Sequence, residues 1–225
     1  MLLCSVAKVS RQAKQYVLIA AVAVVILAGV AALLAARFSE PELPVYGTLP
    51  DLSLIDQDGQ NFRLAATRGK VVVLGLIYTH CPDVCPLITG KMKAIQARSK
   101  AAGLGDAVVF LTVTFDPERD SPPVLRRYAE AYELDLTSWR LLTGPADAID
   151  GLTDLLGFYT ERTYVADQKP AAGPSDVQPD TPYFVTHSDR FFIVDRKGQI
   201  RASLPGSRTD VDQALRIIRR LAAET

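Results

Sequence analysis

The hydrophobic pattern divides the chain into one very long apolar run and a series of shorter ones with different periods. Residues 17–36 (VLIAAVAVVILAGVAALLAA) contain no charge. As a helix this stretch is about 30 Å long, the thickness of a bilayer core. Residues 70–78 (KVVVLGLIY) and 107–114 (AVVFLTVT) are almost continuously apolar and rich in valine. Such runs predict strands covered on both faces, the natural centre of a parallel sheet. Between them, residues 81–102 predict a helix that starts at the first cysteine and stops before Gly103 and Gly105. Two buried strands joined by a helix form a right-handed parallel unit.

The flanking pattern is weaker but ordered. Residues 52–64 predict a hairpin turning at Asp58-Gly59. Asp116-Pro117-Glu118-Arg119-Asp120 predicts a turn, followed by a helix from Ser121 to about Leu134, a short strand over 139–143 and a helix over 145–157. Trp139 is read as core. Residues 158–165 are expected to be extended, and 166–181, rich in Pro, Gly, Ala, Asp and Gln, to be an exposed loop. The chain is expected to close with a hairpin of 183–195 and 199–204, then an amphipathic helix over 210–222. This is an α/β, thioredoxin-like fold with an N-terminal hairpin extension, preceded by a single transmembrane helix.

Charge adds orientation. Lys8, Arg11 and Lys14 precede the long apolar run with no acid among them, whereas Arg37, Glu40 and Glu42 follow it. The positive-inside rule then puts the N-terminus in the cytoplasm. A cleaved signal peptide would carry a shorter apolar region, ~7–15 residues. The expected division is a tail over 1–16, an anchor over 17–36, a linker over 37–47 stiffened by Pro41 and Pro44, and a domain over 48–225. Basic and acidic residues balance at 25 each, which gives no support to nucleic-acid binding.

The chemistry is concentrated. Three cysteines and two histidines occur in all, and His80, Cys81 and Cys85 fall within Thr79-His80-Cys81-Pro82-Asp83-Val84-Cys85-Pro86. If 81–85 form a first helical turn, both thiols share one face, and the helix N-terminus favours thiolates. Such a pair is suited to Cu(I) or to a reversible disulfide. A purely structural bridge would close so small a loop that it stabilises little. Asp83 either faces a partner or favours the helix N-terminus, and Asp116, Arg119 and Asp120 form a structural turn and ion pair. Cys4, on the other side of the apolar run, is an incidental thiol.

These residues resemble the Sco/SenC family, membrane-tethered copper chaperones of cytochrome c oxidase assembly. The resemblance covers roughly residues 45–223 and rests on the cysteine segment, with 116–120 as a second match. It implies a copper site formed by Cys81, Cys85 and a distal histidine, here His187. The family commonly has Asp before that histidine, where this chain has Thr186. Two thiolates and one imidazole suit Cu(I), and also Cu(II) with an added ligand, whereas zinc would usually call for a fourth. His80 adjoins Cys81 and is not expected to ligate. The implied function is copper delivery to the binuclear copper site of cytochrome c oxidase subunit II, without catalytic residues. Other copper chaperones or a thiol reductant are implied as further partners.

The alternative is a membrane-tethered thiol-disulfide oxidoreductase with Cys81 and Cys85 as its redox pair. The spacing, C-x-x-x-C rather than C-x-x-C, counts against it. No proline occurs between Pro182 and Pro205, where thioredoxin-like oxidoreductases place a cis-proline, and His187 lies near that position instead. A peroxidase using Arg119 is a third reading. The short segment ahead of the anchor points to a bacterium, with the domain in the periplasm and the anchor in the inner (cytoplasmic) membrane.

Overall fold

The computed structural model describes residues 3–38 (side chains for 13–30), 42–164 and 183–224. The chain divides into two compact units, Met1–Glu42 and Leu43–Thr225. Among the described residues the first contains one helix, α1 (Leu3–Phe38), which begins well ahead of the uninterrupted apolar run. Within it Ala13–Val30 has a mean hydropathy of 2.1, long and apolar enough to cross a membrane. The side chain of Cys4 and the expected loop at 166–181 lie outside the described residues.

The second unit is built on β4 (Val71–Ile77), buried at every position. It pairs in parallel with β5 (Val108–Thr114), which pairs in parallel with β6 (Trp139–Thr143). On its other side β4 runs antiparallel to β9 (Arg190–Val194), followed by β10 (Gln199–Pro205) and the short β1 (Gly47–Thr48). The expected N-terminal hairpin, β2 (Ser53–Asp56) and β3 (Asn61–Arg63), extends the far edge beyond β6. Its turn uses Gly59 at φ +76°, a conformation that costs glycine nothing. The eight strands run β1-β10-β9-β4-β5-β6-β2-β3.

Helix α2 (Val84–Ala101) crosses from β4 to β5 and buries Cys85, Ile88, Met92 and Ile95, a stripe of helical period. Gly75 makes the close approach feasible, since a Cβ there would meet the Met92 sulfur at 2.5 Å. Helices α3 (Pro122–Ala131), α4 (Ala146–Leu155) and α5 (Val211–Ala223) complete the layers, α5 burying Ala214, Leu215, Ile218 and Leu221.

Two expectations require correction. Residues 183–195 are two strands rather than one. β8 (Tyr183–His187) leaves the main sheet and pairs antiparallel with β7 (Thr160–Tyr164), while β9 joins the main sheet. Ser188 and Asp189 lie in no strand, and the polar residues 186–190 mark the change of sheet between the two apolar runs. The cysteines, moreover, do not share a helical turn. α2 starts at Val84 with Asp83 as its N-cap residue, leaving Cys81 in the loop after β4. Pro82 falls in that loop and Pro86 in the first turn, where a missing N–H breaks no helical hydrogen bond.

Candidate metal centre

The loop after β4, the start of α2 and the end of β8 converge beyond the C-terminal ends of β4 and β5, where sites in open α/β sheets lie. Cys81 is carried by the loop, its N–H donating to the Tyr78 carbonyl at 3.3 Å. Cys85 leads the buried stripe of α2 and is fully covered, whereas Cys81 retains 8% of its exposure. His187 ends β8 opposite Thr160, a strand terminus held by the two-stranded sheet.

The three side chains meet. His187 Nε2 lies 3.8 Å from Cys81 Sγ and 3.5 Å from Cys85 Sγ, and the three candidate ligand atoms all fall within 4.8 Å of one another. This is the one group of three or more potential metal ligands among the described residues. Two soft sulfurs and one imidazole nitrogen at this spacing fit a low-coordinate Cu(I) ion. Both cysteines are free thiols here.

The ring of His187 is aimed from behind. Its Nδ1 is 2.9 Å from the Ser188 carbonyl, an acceptor that keeps the proton on Nδ1 and frees Nε2 for the sulfurs. Phe115, at 4.8 Å between ring centroids, and Phe158, stacked at 6.0 Å, confine it, and Tyr78 meets it edge-on at 5.9 Å. Thr186, where the family commonly has Asp, is exposed on the opposite face of β8, as strand alternation requires. The backbone carbonyl of Ser188 therefore supplies the acceptor at Nδ1.

The two thiols are electrostatically unequal. Donation from Cys85, together with the His187 contact, overcomes burial and holds the Cys81 thiol down at about 3. Burial, reinforced by the negative charge of Cys81, pushes Cys85 far above the ordinary thiol range. The pair thus releases its first proton easily and its second reluctantly. For His187, burial opposes the imidazolium, but the Cys81 sulfur and the Ser188 carbonyl outweigh it and raise the pKa.

Of the remaining residues, His80 stays outside the cluster, its ring half exposed and its Nδ1 3.2 Å from Thr79 Oγ. Asp83 is exposed and makes no side-chain capping bond. Arg119 is committed elsewhere: Nε donates to Asp116 at 2.6 Å, Nη1 to the Tyr183 carbonyl at 3.1 Å, and the guanidinium lies 3.4 Å over the Tyr183 ring. Sequence reasoning missed the aromatic cage of Tyr78, Phe115 and Phe158. Their spacing in the chain signals only core.

A family model described as SCO1/SenC matches residues 46–223. The chain is 35% identical over 89 residues to the SCO1 protein homolog of Bacillus subtilis, a match covering 40% of this chain and 45% of that protein. Among solved structures, a SCO1/SenC family lipoprotein from Bacillus anthracis superposes with a TM-score of 0.66 at 27% identity, covering 80% of this chain and 97% of that one. Yeast Sco1 with copper bound superposes with a TM-score of 0.60 at 25% identity, covering 82% and 96%.

Proposed function

This chain belongs to the SCO1/SenC family, and we propose that it is a membrane-anchored copper chaperone holding its cargo on Cys81, Cys85 and His187 and passing it to the binuclear copper site of cytochrome c oxidase subunit II. The observation that carries this reading is the convergence of two thiol sulfurs and one imidazole nitrogen within 4.8 Å. A copper-bound relative of the same fold supports it.

Each residue has a part. Cys85, fully buried on α2, is the fixed sulfur. Cys81 sits in a loop and His187 at a strand end, so these two contacts can loosen first when an acceptor thiol or imidazole approaches. Three ligands leave room for that incoming group, and exchange then proceeds without releasing a free ion. The low thiol pKa of Cys81 supplies a thiolate at neutral pH without a general base. The apolar part of α1 anchors the domain, its basic N-terminal end in the cytoplasm and the domain in the periplasm.

The test is copper stoichiometry on the reduced full-length chain in detergent, under competition from a chromophoric Cu(I) chelator. One copper per chain is expected, held at least about tenfold less tightly after His187→Ala. A reduced chain that takes up no copper would overturn the proposal and transfer the thiol pair to disulfide exchange.

A further inference from the structure

The turn at 116–120 holds both segments that carry the candidate ligands, one with each of its aspartates. It follows β5, whose end lies beside the end of β4, and Phe115 N–H donates to the Ile77 carbonyl at 3.0 Å. Asp120 is fully buried and faces the cysteine loop. One of its oxygens accepts from Thr79 Oγ at 2.5 Å, and the other accepts from Thr79 N–H at 3.0 Å and Thr114 Oγ at 2.6 Å. Thr79 stands two residues before Cys81.

Asp116, also fully buried, faces the histidine strand. It accepts from the Tyr183 hydroxyl and from Arg119, while Arg119 donates to the Tyr183 carbonyl and covers its ring. Tyr183 opens β8, the strand that His187 ends. Arg162 on β7 lies 3.7 Å from Asp116 and 2.6 Å from Glu118, so the turn also grips the strand paired with β8. A buried carboxylate is costly unless its acceptors are filled. Here Thr79 of the cysteine segment fills Asp120 together with Thr114, and Tyr183 of the histidine strand fills Asp116 together with Arg119.

We infer that the 116–120 turn is a two-armed clamp in which Asp120, through Thr79, positions Cys81, and Asp116, through Arg119 and Tyr183, positions β8 and hence His187. Both are positioning residues, and the inference rests on the copper site proposed above. It predicts that the arms fail separately. Neutral, nearly isosteric replacements are the appropriate probes, because they keep the volume and remove a charge or one hydrogen bond.

The experiment measures Cu(I) retention against a graded series of chelators on reduced full-length chain in detergent, for Asp120→Asn, Tyr183→Phe, His187→Ala and the two doubles with His187→Ala. Near-ultraviolet circular dichroism reports on folding. Each positioning variant is expected to retain copper roughly tenfold less tightly. In the His187→Ala background Tyr183→Phe should cost nothing more, whereas Asp120→Asn should keep its full effect. In parallel, the dithiol–disulfide equilibrium of the cysteine pair against dithiothreitol should shift in Asp120→Asn and not in Tyr183→Phe. Should either variant lose its near-ultraviolet signal, Thr79→Val and Arg119→Lys probe the same arms. Unchanged retention in both folded variants, or a Tyr183→Phe loss that is equal with and without His187, would overturn the clamp. A wild type that binds no copper would instead overturn the proposed function. The dithiothreitol equilibrium would then decide the cysteine arm, a shift in Asp120→Asn sustaining it and no shift overturning it.

Discussion

Two buried arginine–aspartate pairs sit in different parts of the domain with nearly the same burial. The side chains of Arg119 and Asp116 are 5% and 0% exposed, those of Arg201 and Asp195 5% and 5%. The first pair joins the end of β5 to β8 beside the Cys81, Cys85 and His187 cluster. The second closes the β9–β10 hairpin. Asp195 accepts from the N–H groups of Lys197 and Gln199 and from Arg201, which also reaches Glu224 at the C-terminal end of α5 and the Leu43 carbonyl. Burial and charge are alike, so neither distinguishes a functional pair from a structural one. The difference lies in which segments each pair holds: a strand carrying a candidate ligand in the first case, the ends of the folded unit in the second.

The largest expected effect comes from breaking either pair. Arg201→Ala and Arg119→Ala each strand a buried carboxylate and should lower stability by about 3–5 kcal/mol, read from denaturant unfolding of the reduced protein. Their copper behaviour should then diverge. At a temperature where both are folded, Arg201→Ala retains Cu(I) as the wild type does, and Arg119→Ala loses it more readily. Equal copper retention in the two variants would erase the comparison.

A pH series sharpens it further. Cys81 has a folded pKa far below its unfolded value, so it contributes stability fully present above about pH 8.5 and lost as the pH falls toward about 3. Cys85 is raised, so above about pH 8.5 ionisation of the unfolded chain draws stability away. The reduced metal-free protein should therefore become more stable from pH 5 to about 6.5, above which the raised pKa of His187 offsets the gain, and Cys81→Ser should flatten that rise. Arg201→Ala should lower the curve and leave the Cys81 contribution to it in place. A Cys81→Ser curve parallel to the wild type would count against the unequal thiol pair.

The smallest effect is expected at the surface. Lys100 and Asp135 form an ion pair that leaves 38% and 42% of their side chains exposed. Asp135 is held down to about 2 by Lys100 and Thr137, yet solvent screens the interaction. Asp135→Asn should cost well under about 1 kcal/mol at pH 7 and leave copper retention unchanged. A loss as large as that of Arg201→Ala would show that burial is not what makes the two internal pairs matter.

Much of this was legible along the chain. The runs at 71–77 and 108–114 are strands because an unbroken apolar segment must be covered on both faces. The N-terminal hairpin, the strand at 139–143 and the amphipathic α5 followed from local periodicity and turn residues. Less legible was the segment 183–194, whose two apolar runs are divided between two sheets. Periodicity reports that a residue is covered, not by which layer. The helical placement of Cys81 failed for a related reason: spacing allows an i,i+4 pair, but Pro82 and the Asp120 contacts hold the loop in another conformation.

The sequence by itself determined the local elements, the apolar helix and the cysteine segment, because each depends on neighbours a few positions apart. Only the tertiary structure decided that His187, 102 positions beyond Cys85, brings Nε2 to within 3.5 Å of its sulfur. It also decided that a turn between the two holds both. Those contacts arise from the order of strands in the sheet and from buried carboxylates that must find donors. Neither leaves a periodic trace in the chain.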